Sequence, residues 1–204
     1  MQAIILAGGL GTRLKPYTTN FPKPLMPVGD KPILELVINQ LKEAGITEII
    51  LSVGHLSELL FAYFGNGEKW GVNISYSKES EPLGTAGPLN LIRDSLQETF
   101  ILMNGDVLSD INFEEFISFH KDTSASATVA ITKRLVDIDF GVIELKDETL
   151  IDKWQEKPKI DYNVSTGIYL VSKASLSILP KEGFYNLPDF IISCGRKSVI
   201  ANIY

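Results

Sequence analysis

Gln2-Ala3-Ile4-Ile5-Leu6-Ala7-Gly8-Gly9-Leu10-Gly11-Thr12-Arg13-Leu14 is an apolar run that leads directly into a glycine-rich segment. Residues 2–7 have the length and composition of a buried strand, and the glycines predict a loop. Glycines let backbone N–H groups approach a polyphosphate without obstruction by side chains. However, Leu14 stands where the dinucleotide-binding fingerprint needs glycine, and the Gly-Lys-Ser/Thr ending of a P-loop is missing. The segment is therefore a phosphate loop of another type or a plain tight turn.

Strands and helices alternate through the first half of the chain. Apolar runs at 47–53, 72–77 and 100–104 repeat the strand pattern of residues 2–7. Helical patterns lie between them, at 32–45, 55–64 and 87–96. This alternation predicts an α/β fold with a Rossmann-like, mostly parallel sheet flanked by helices.

The predicted sheet should bring three separate segments together. Residues 8–13, 81–87 and 104–106 each follow a predicted strand. Open α/β sheets bind ligands beyond the carboxyl ends of their strands. We therefore expect these segments to converge at one edge of the sheet.

The pattern becomes richer in strands after residue 107. A helix is predicted near 113–120, followed by strands at 127–133, 141–145, 150–155 and 165–171. We expect a small antiparallel lobe that covers one side of the ligand cleft. Since no linker-like stretch divides the chain, residues 1–204 should form a single domain.

Composition narrows the classes of partner. The chain has 204 residues, 45% of them hydrophobic, and a formal net charge of −6, which argues against nucleic acid as a partner. No apolar run approaches the roughly 18 residues needed to cross a bilayer. A single cysteine, Cys194, agrees with a reducing compartment. We expect a soluble, cytoplasmic protein that binds neither nucleic acid nor membrane.

Several polar residues are candidates for binding and catalysis. Lys23 lies between two prolines, so with Arg13 it could supply fixed positive charge, although a solvated loop lysine explains the pattern too. Asp106 ends a strand and could bind Mg²⁺, although Asn-Gly-Asp also suits a turn. Glu156 and Lys157 could contact sugar hydroxyls and a phosphate, or form a surface ion pair. The two histidines have no metal-ligand spacing and are interpreted as structural.

Five motifs in order resemble those of the sugar-1-phosphate nucleotidyltransferase family, whose members include mannose-1-phosphate guanylyltransferases. The motifs are Gly8-Gly9-Leu10-Gly11-Thr12-Arg13-Leu14, Pro22-Lys23-Pro24-Leu25, Leu83-Gly84-Thr85-Ala86-Gly87, Asn104-Gly105-Asp106 and Glu156-Lys157-Pro158. The resemblance implies that a sugar phosphate oxygen attacks the α-phosphorus of a nucleoside triphosphate. Mg²⁺ assists as the cofactor, and pyrophosphate leaves.

The resemblance also implies a role for each motif. Residues 1–107 would be the nucleotide-binding half and residues 108–204 the sugar-phosphate half. The nucleotide would be held by Gly8, Gly9, Gly11 and Thr12, its phosphates by Arg13 and Lys23, its base by Gly84 and Thr85, the metal by Asp106, and the sugar phosphate by Gly141, Glu156, Lys157 and Gly167. Arg13, Lys23 and Asp106 would be the catalytic residues.

Substrate and partners follow from the same resemblance. Residues 83–88 are similar to those of guanylyltransferases, which favours GTP and a mannose-type 1-phosphate. The alternatives are a uridylyl- or thymidylyltransferase and a non-catalytic subunit that binds nucleotide sugars. Self-association into a homo-oligomer is left open. Family members continue into a Trp-x-Asp-x-Gly segment carrying a second metal-binding aspartate. We therefore expect the present sequence either to be shortened at its C-terminus or to lack that second carboxylate.

Overall fold

The computed structural model describes residues 1–9, 11, 16–195 and 199–203. Its main feature is a mixed, mostly parallel sheet. In chain order the strands of the protein are β1 (Gln2–Leu6), β2 (Pro27–Val28), β3 (Lys31–Pro32), β4 (Glu48–Val53), β5 (Asn73–Lys78), β6 (Thr99–Asn104), β7 (Ala127–Asp137), β8 (Val142–Asp147), β9 (Leu150–Gln155), β10 (Lys159–Ser172) and β11 (Val199–Ile203). Seven of them form the main sheet in the order β11-β7-β10-β6-β1-β4-β5.

Strand β1 lies inside this sheet, between β4 and β6. It pairs with both in parallel, with Ile4 opposite Ile50 on one side and Leu102 on the other. Both faces of β1 are buried, which explains why its sequence is a continuous apolar run rather than an alternating one. The residues after β1 are consequently flanked by the ends of two parallel neighbours.

Helices cover the sheet on both faces, as predicted. The α-helices are α1 (Ile33–Glu43), α2 (Ser57–Phe64), α3 (Phe113–Thr123) and α4 (Leu187–Ser193). Helix α1 buries the four residues of its apolar stripe, Leu34, Val37, Ile38 and Leu41. Helices α1, α2 and α3 contribute to one core cluster, and α4 contributes to a second cluster on the other face. The α/β fold class is confirmed.

The helix between β5 and β6 and helix α4 differ from the sequence prediction. The helix expected at 87–96 is a 3₁₀ helix, Gly87–Ser95, in which Asn90 donates its side-chain amide to the Pro180 carbonyl and Ser95 bonds the Ile92 carbonyl. Such residues compete with the backbone hydrogen bonds of an α-helix. Helix α4 was not assigned from the sequence.

Part of the strand-rich second half belongs to the main sheet, and part of it forms a small antiparallel hairpin. β10 pairs antiparallel with β6 and β7, so both β7 and β10 belong to the main sheet. Among the described residues of this half, only β8 and β9 form a separate antiparallel hairpin. Across the described ranges, the helices fall short of the length and apolar character that a membrane crossing requires.

Candidate active site

The carboxyl ends of β1, β4 and β6 meet at one edge of the sheet. Ala7 donates its N–H to the Ser52 carbonyl at 2.8 Å, and Gly105 donates to the Leu6 carbonyl at 2.9 Å. These bonds hold the first residues of the glycine loop beside the turn that carries Asp106. The described part of the loop thus lies where parallel strands predict a ligand site.

Two clefts open at this edge. The larger has a volume of about 470 Å³, and the smaller about 250 Å³. The larger is lined by residues that include Gly8, Gly9, His55, Glu79, Glu81, Gly84, Thr85 and Phe184. The smaller is lined by residues that include Gly9, Gly11, Lys23, Thr85, Gly105 and Asp106. Gly9 and Thr85 line both, so the two clefts adjoin.

Lys23 and Asp106 form an ion pair in the smaller cleft. Lys23 begins a short 3₁₀ turn between Pro22 and Pro24, both buried. Its Nζ contacts the Oδ2 of Asp106, 83 residues away in sequence. Lys23 is therefore neither a free loop cation nor a simple surface lysine. The pair presents one positive and one negative group beside the glycine backbone.

The surroundings of Asp106 fit Mg²⁺. The aspartate side chain is 28% exposed and lines the smaller cleft, so a carboxylate oxygen is accessible there. Mg²⁺ commonly takes one or two protein carboxylates and fills its other positions with water and substrate phosphates. No cluster of three or more acidic, histidine or cysteine ligands occurs among the described residues. The donor set suits an ion bound together with a phosphate substrate.

The loop of residues 83–87 is held by a segment far along the chain. Tyr185 donates its N–H to the Leu83 carbonyl at 2.9 Å and accepts from the N–H groups of Ala86 and Gly87 at 2.9 and 3.2 Å. Thr85 Oγ1 accepts from the N–H of Leu187 at 2.7 Å. This attachment has no signal in the sequence, because three of its four bonds join backbone atoms.

Gly84 is required by this attachment. Its φ of +80° lies in the left-handed region, and a Cβ there would lie 2.5 Å from the Tyr185 carbonyl oxygen. Side chains are disfavoured in that backbone conformation, and the clash is with backbone rather than with a flexible side chain.

Gly84→Ala should therefore displace the loop and weaken nucleotide binding at least about tenfold, with a loss of stability of roughly 1–3 kcal/mol. The matched control is Gly45→Ala, since Gly45 has a φ of +74° but nothing within 4 Å of the added carbon. Urea denaturation and nucleotide titration of both variants would separate backbone strain from the clash. Equal effects in the two variants would contradict a special role for the Gly84 contact.

The four residues assigned to the sugar phosphate lie in two places. Gly141 packs against Trp154 and Glu156, and Trp154 Nε1 donates to Glu156 Oε2 at 3.3 Å. These residues and Lys157 belong to the β8–β9 region and lie outside the lining of both clefts. Gly167, in contrast, is buried against the Asn104 side chain, next to the turn of Asp106.

Lys157 has an unusual backbone. Its φ is +43°, one of three positive values among the described non-glycine residues. Such conformations are costly for a residue with a Cβ and are enriched at functional sites. This observation favours a function for the Glu156-Lys157-Pro158 turn over a plain surface ion pair, and no Glu156–Lys157 salt bridge occurs among the described contacts.

The histidines differ from each other. His120 is buried in α3, its Nδ1 lies 2.7 Å from Thr128 Oγ1, and burial lowers its pKa, all of which agrees with a structural role. His55 is exposed and lines the larger cleft, so burial does not support the structural interpretation at this residue. Its position directly after β4 and Gly54 could have predicted, from the sequence, that it lies at the carboxyl edge of the sheet.

Glu79, Phe184 and Asn186 also line the larger cleft but were not candidates from the sequence. Glu79 directly follows β5, so the strand-end rule could have found it. Its Oε2 accepts from the Leu83 N–H at 3.0 Å, which ties it to the 83–87 loop. Thr12 and Arg13, predicted to bind the nucleotide and its phosphates, lie outside the described residues.

Known proteins resemble this chain in sequence and in fold. The profile of the family described as nucleotidyl transferase matches residues 2–196. The rice (Oryza sativa subsp. japonica) protein named "Probable mannose-1-phosphate guanylyltransferase 3" is 42% identical over 184 residues, covering 86% of this chain and 51% of the relative. Mannose-1-phosphate guanyltransferase of Saccharomyces cerevisiae is 37% identical over 187 residues, covering 88% and 52%. The chain thus spans about half the length of the curated relatives it matches.

Among solved structures, one similar fold comes from Bacillus anthracis. The protein, provisionally named glucose-1-phosphate thymidylyltransferase, was crystallised with a sucrose. It superposes with a TM-score of 0.79 at 27% sequence identity, covering 100% of this chain and 87% of that one. The sheet and the helices that cover it therefore belong to an established type of fold.

Proposed function

Because the chain belongs to the nucleotidyl transferase family, we propose that it joins GTP to mannose 1-phosphate or a related hexose 1-phosphate and releases pyrophosphate. The observation that carries this proposal is the Lys23–Asp106 pair, which lies beside the glycine loop in a cleft at the carboxyl edge of the sheet. The identity of 37–42% to relatives named as mannose-1-phosphate guanylyltransferases supports the choice of substrates.

The adjoining clefts suit the two parts of a nucleotide. The larger cleft is bounded by the 83–87 loop and has room for a base, and the smaller one carries the charged pair. Gly8, Gly9 and Gly11 would line the path between them, with Thr12 completing that binding segment. Arg13 and Lys23 would hold the phosphates, and Gly84 and Thr85 the base.

Catalysis would rest on positioning and charge neutralisation. The sugar phosphate is already an anionic nucleophile, so no protein side chain has to remove a proton or form a covalent intermediate. An oxygen of the sugar phosphate forms the new bond to the α-phosphorus, and the bond from that phosphorus to the pyrophosphate oxygen breaks. Lys23 would then neutralise charge that develops on the leaving group.

Asp106 would hold Mg²⁺ in this scheme. When bound, Mg²⁺ would supply positive charge at the phosphate oxygens. The Lys23 ammonium keeps the carboxylate of Asp106 in place at the smaller cleft. Glu156 and Lys157 would contact the sugar phosphate from the turn that follows β9, and Gly141 and Gly167 would allow its close approach.

The proposal is tested by pyrophosphate release over a grid of GTP, UTP, dTTP and ATP against several hexose 1-phosphates. We expect the highest kcat/KM for GTP with mannose 1-phosphate or a related sugar. Turnover only with UTP or dTTP would contradict the guanylyl assignment. Nucleotide-sugar binding without turnover for any pair would instead support a regulatory binding subunit.

A further inference from the structure

Phe184 stands on the wall of the larger cleft with its side chain mostly open to solvent. The residue is 62% exposed, and it lines the cleft together with Gly8, Gly9, Gly84 and Thr85. Single exposed aromatics are common on protein surfaces and need no explanation. This one differs because it faces the cleft that the proposed function assigns to the nucleobase.

The backbone beside Phe184 is hydrogen-bonded to the 83–87 loop, which also contributes to the lining of the cleft. Its neighbour Tyr185 makes three backbone hydrogen bonds to residues 83, 86 and 87, of 2.9 to 3.2 Å. Leu187 adds the bond to Thr85 Oγ1 at 2.7 Å. The segment 184–187 and the loop 83–87 therefore form one connected unit, and Phe184 is held at a defined place on it.

The chemistry of the cleft suits a planar aromatic ligand. Glycines and prolines line it and supply apolar surface, and two carboxylates and a histidine belong to the same lining. An aromatic side chain stacks on any nucleobase, since every base has a π-face. A purine offers a larger face than a pyrimidine and gains more from such a contact.

We propose that Phe184 is a specificity-determining residue whose ring stacks on the nucleobase and favours purine over pyrimidine nucleotides. This inference rests on the proposed function, because it assumes that the larger cleft receives the base. Phe184 would contribute to nucleotide affinity and leave the chemistry at the phosphates unchanged.

Equilibrium binding of GTP, UTP and inorganic tripolyphosphate to the wild type and to Phe184→Ala provides the test. We expect GTP binding to weaken roughly tenfold or more, UTP binding to weaken less, and tripolyphosphate binding to stay the same. Phe184→Tyr should restore most of the GTP affinity. In turnover, KM for GTP should rise while kcat stays near the wild-type value.

Phe61→Ala is the matched control, because Phe61 is 61% exposed and lies on α2, outside the lining of both clefts. It should bind all three ligands like the wild type. Unchanged GTP binding by Phe184→Ala, or an equal loss for GTP and tripolyphosphate, would overturn the stacking role. If the wild type itself bound no nucleotide, the proposed function would fail instead, so the two failures are distinguishable.

Discussion

Asp106→Asn should lower nucleotidyl transfer at least about a thousandfold while the protein stays folded. Asp106 is the carboxylate that the structure places in the smaller cleft, where Mg²⁺ and the phosphates would meet. Asparagine keeps the size of the side chain but removes its charge, so the site loses several kcal/mol of charge stabilisation, and each 1.36 kcal/mol is tenfold in rate. Pyrophosphate release under saturating substrates measures this loss.

Stability should change little in the same variant. The ion pair with Lys23 is partly exposed, with 38% and 28% of the two side chains accessible, and such pairs contribute about 0–1 kcal/mol. The matched control is Asp110→Asn, an exposed aspartate four residues away that lines neither cleft. Asp110→Asn should keep wild-type turnover. Comparable turnover in both variants would remove Asp106 from the metal site.

Lys23→Met should reduce kcat by roughly 10²–10³-fold, the usual cost of removing one group that stabilises charge in a transition state. Methionine retains much of the aliphatic stem and removes the ammonium, so the surrounding prolines can keep their packing. The ammonium would act on charge that grows as pyrophosphate leaves, so kcat should fall more than KM rises. Steady-state kinetics with each substrate varied would give both constants.

The control for this variant is Lys31→Met. Lys31 is exposed and pairs with Glu35 at 3.8 Å, away from both clefts. It should leave kcat and KM unchanged. A Lys23→Met enzyme within about fivefold of the wild-type kcat would show that the Lys23 ammonium does not stabilise charge in the transition state. The double variant with Asp106→Asn should be less than additive, because the two groups touch.

The sequence predicted the place of the site more fully than its internal contacts. Gly8, Gly9 and Asp106 could be brought to one edge because parallel strands end together, and the register of β1 with β4 and β6 shows them there. Lys23 could be named as a cation, but its pairing with Asp106 crosses 83 residues and has no local signal.

The contribution of residues 184–187 to the larger cleft could not be predicted from the sequence, for a physical reason. Residues 184–187 contact the 83–87 loop mainly through backbone N–H and carbonyl groups. Because almost all residue types carry these groups, such contacts leave no motif in the sequence. Phe184 is exposed, so it also lacks the periodic apolar pattern that marks a core residue. Glu79 and His55 could have been predicted as lining residues, since both follow strands whose ends form the site.

Following the sugar phosphate oxygens through the reaction is the most direct test of nucleotidyl transfer. GTP and mannose 1-phosphate labelled with ¹⁸O in its non-bridging phosphate oxygens would be incubated with the protein and Mg²⁺, and the products examined by ³¹P NMR and mass spectrometry. We expect equal amounts of GDP-sugar and pyrophosphate, with all label in the nucleotide sugar and none in pyrophosphate. Label in pyrophosphate, or formation of GDP and inorganic phosphate without nucleotide sugar, would contradict nucleotidyl transfer to the sugar phosphate.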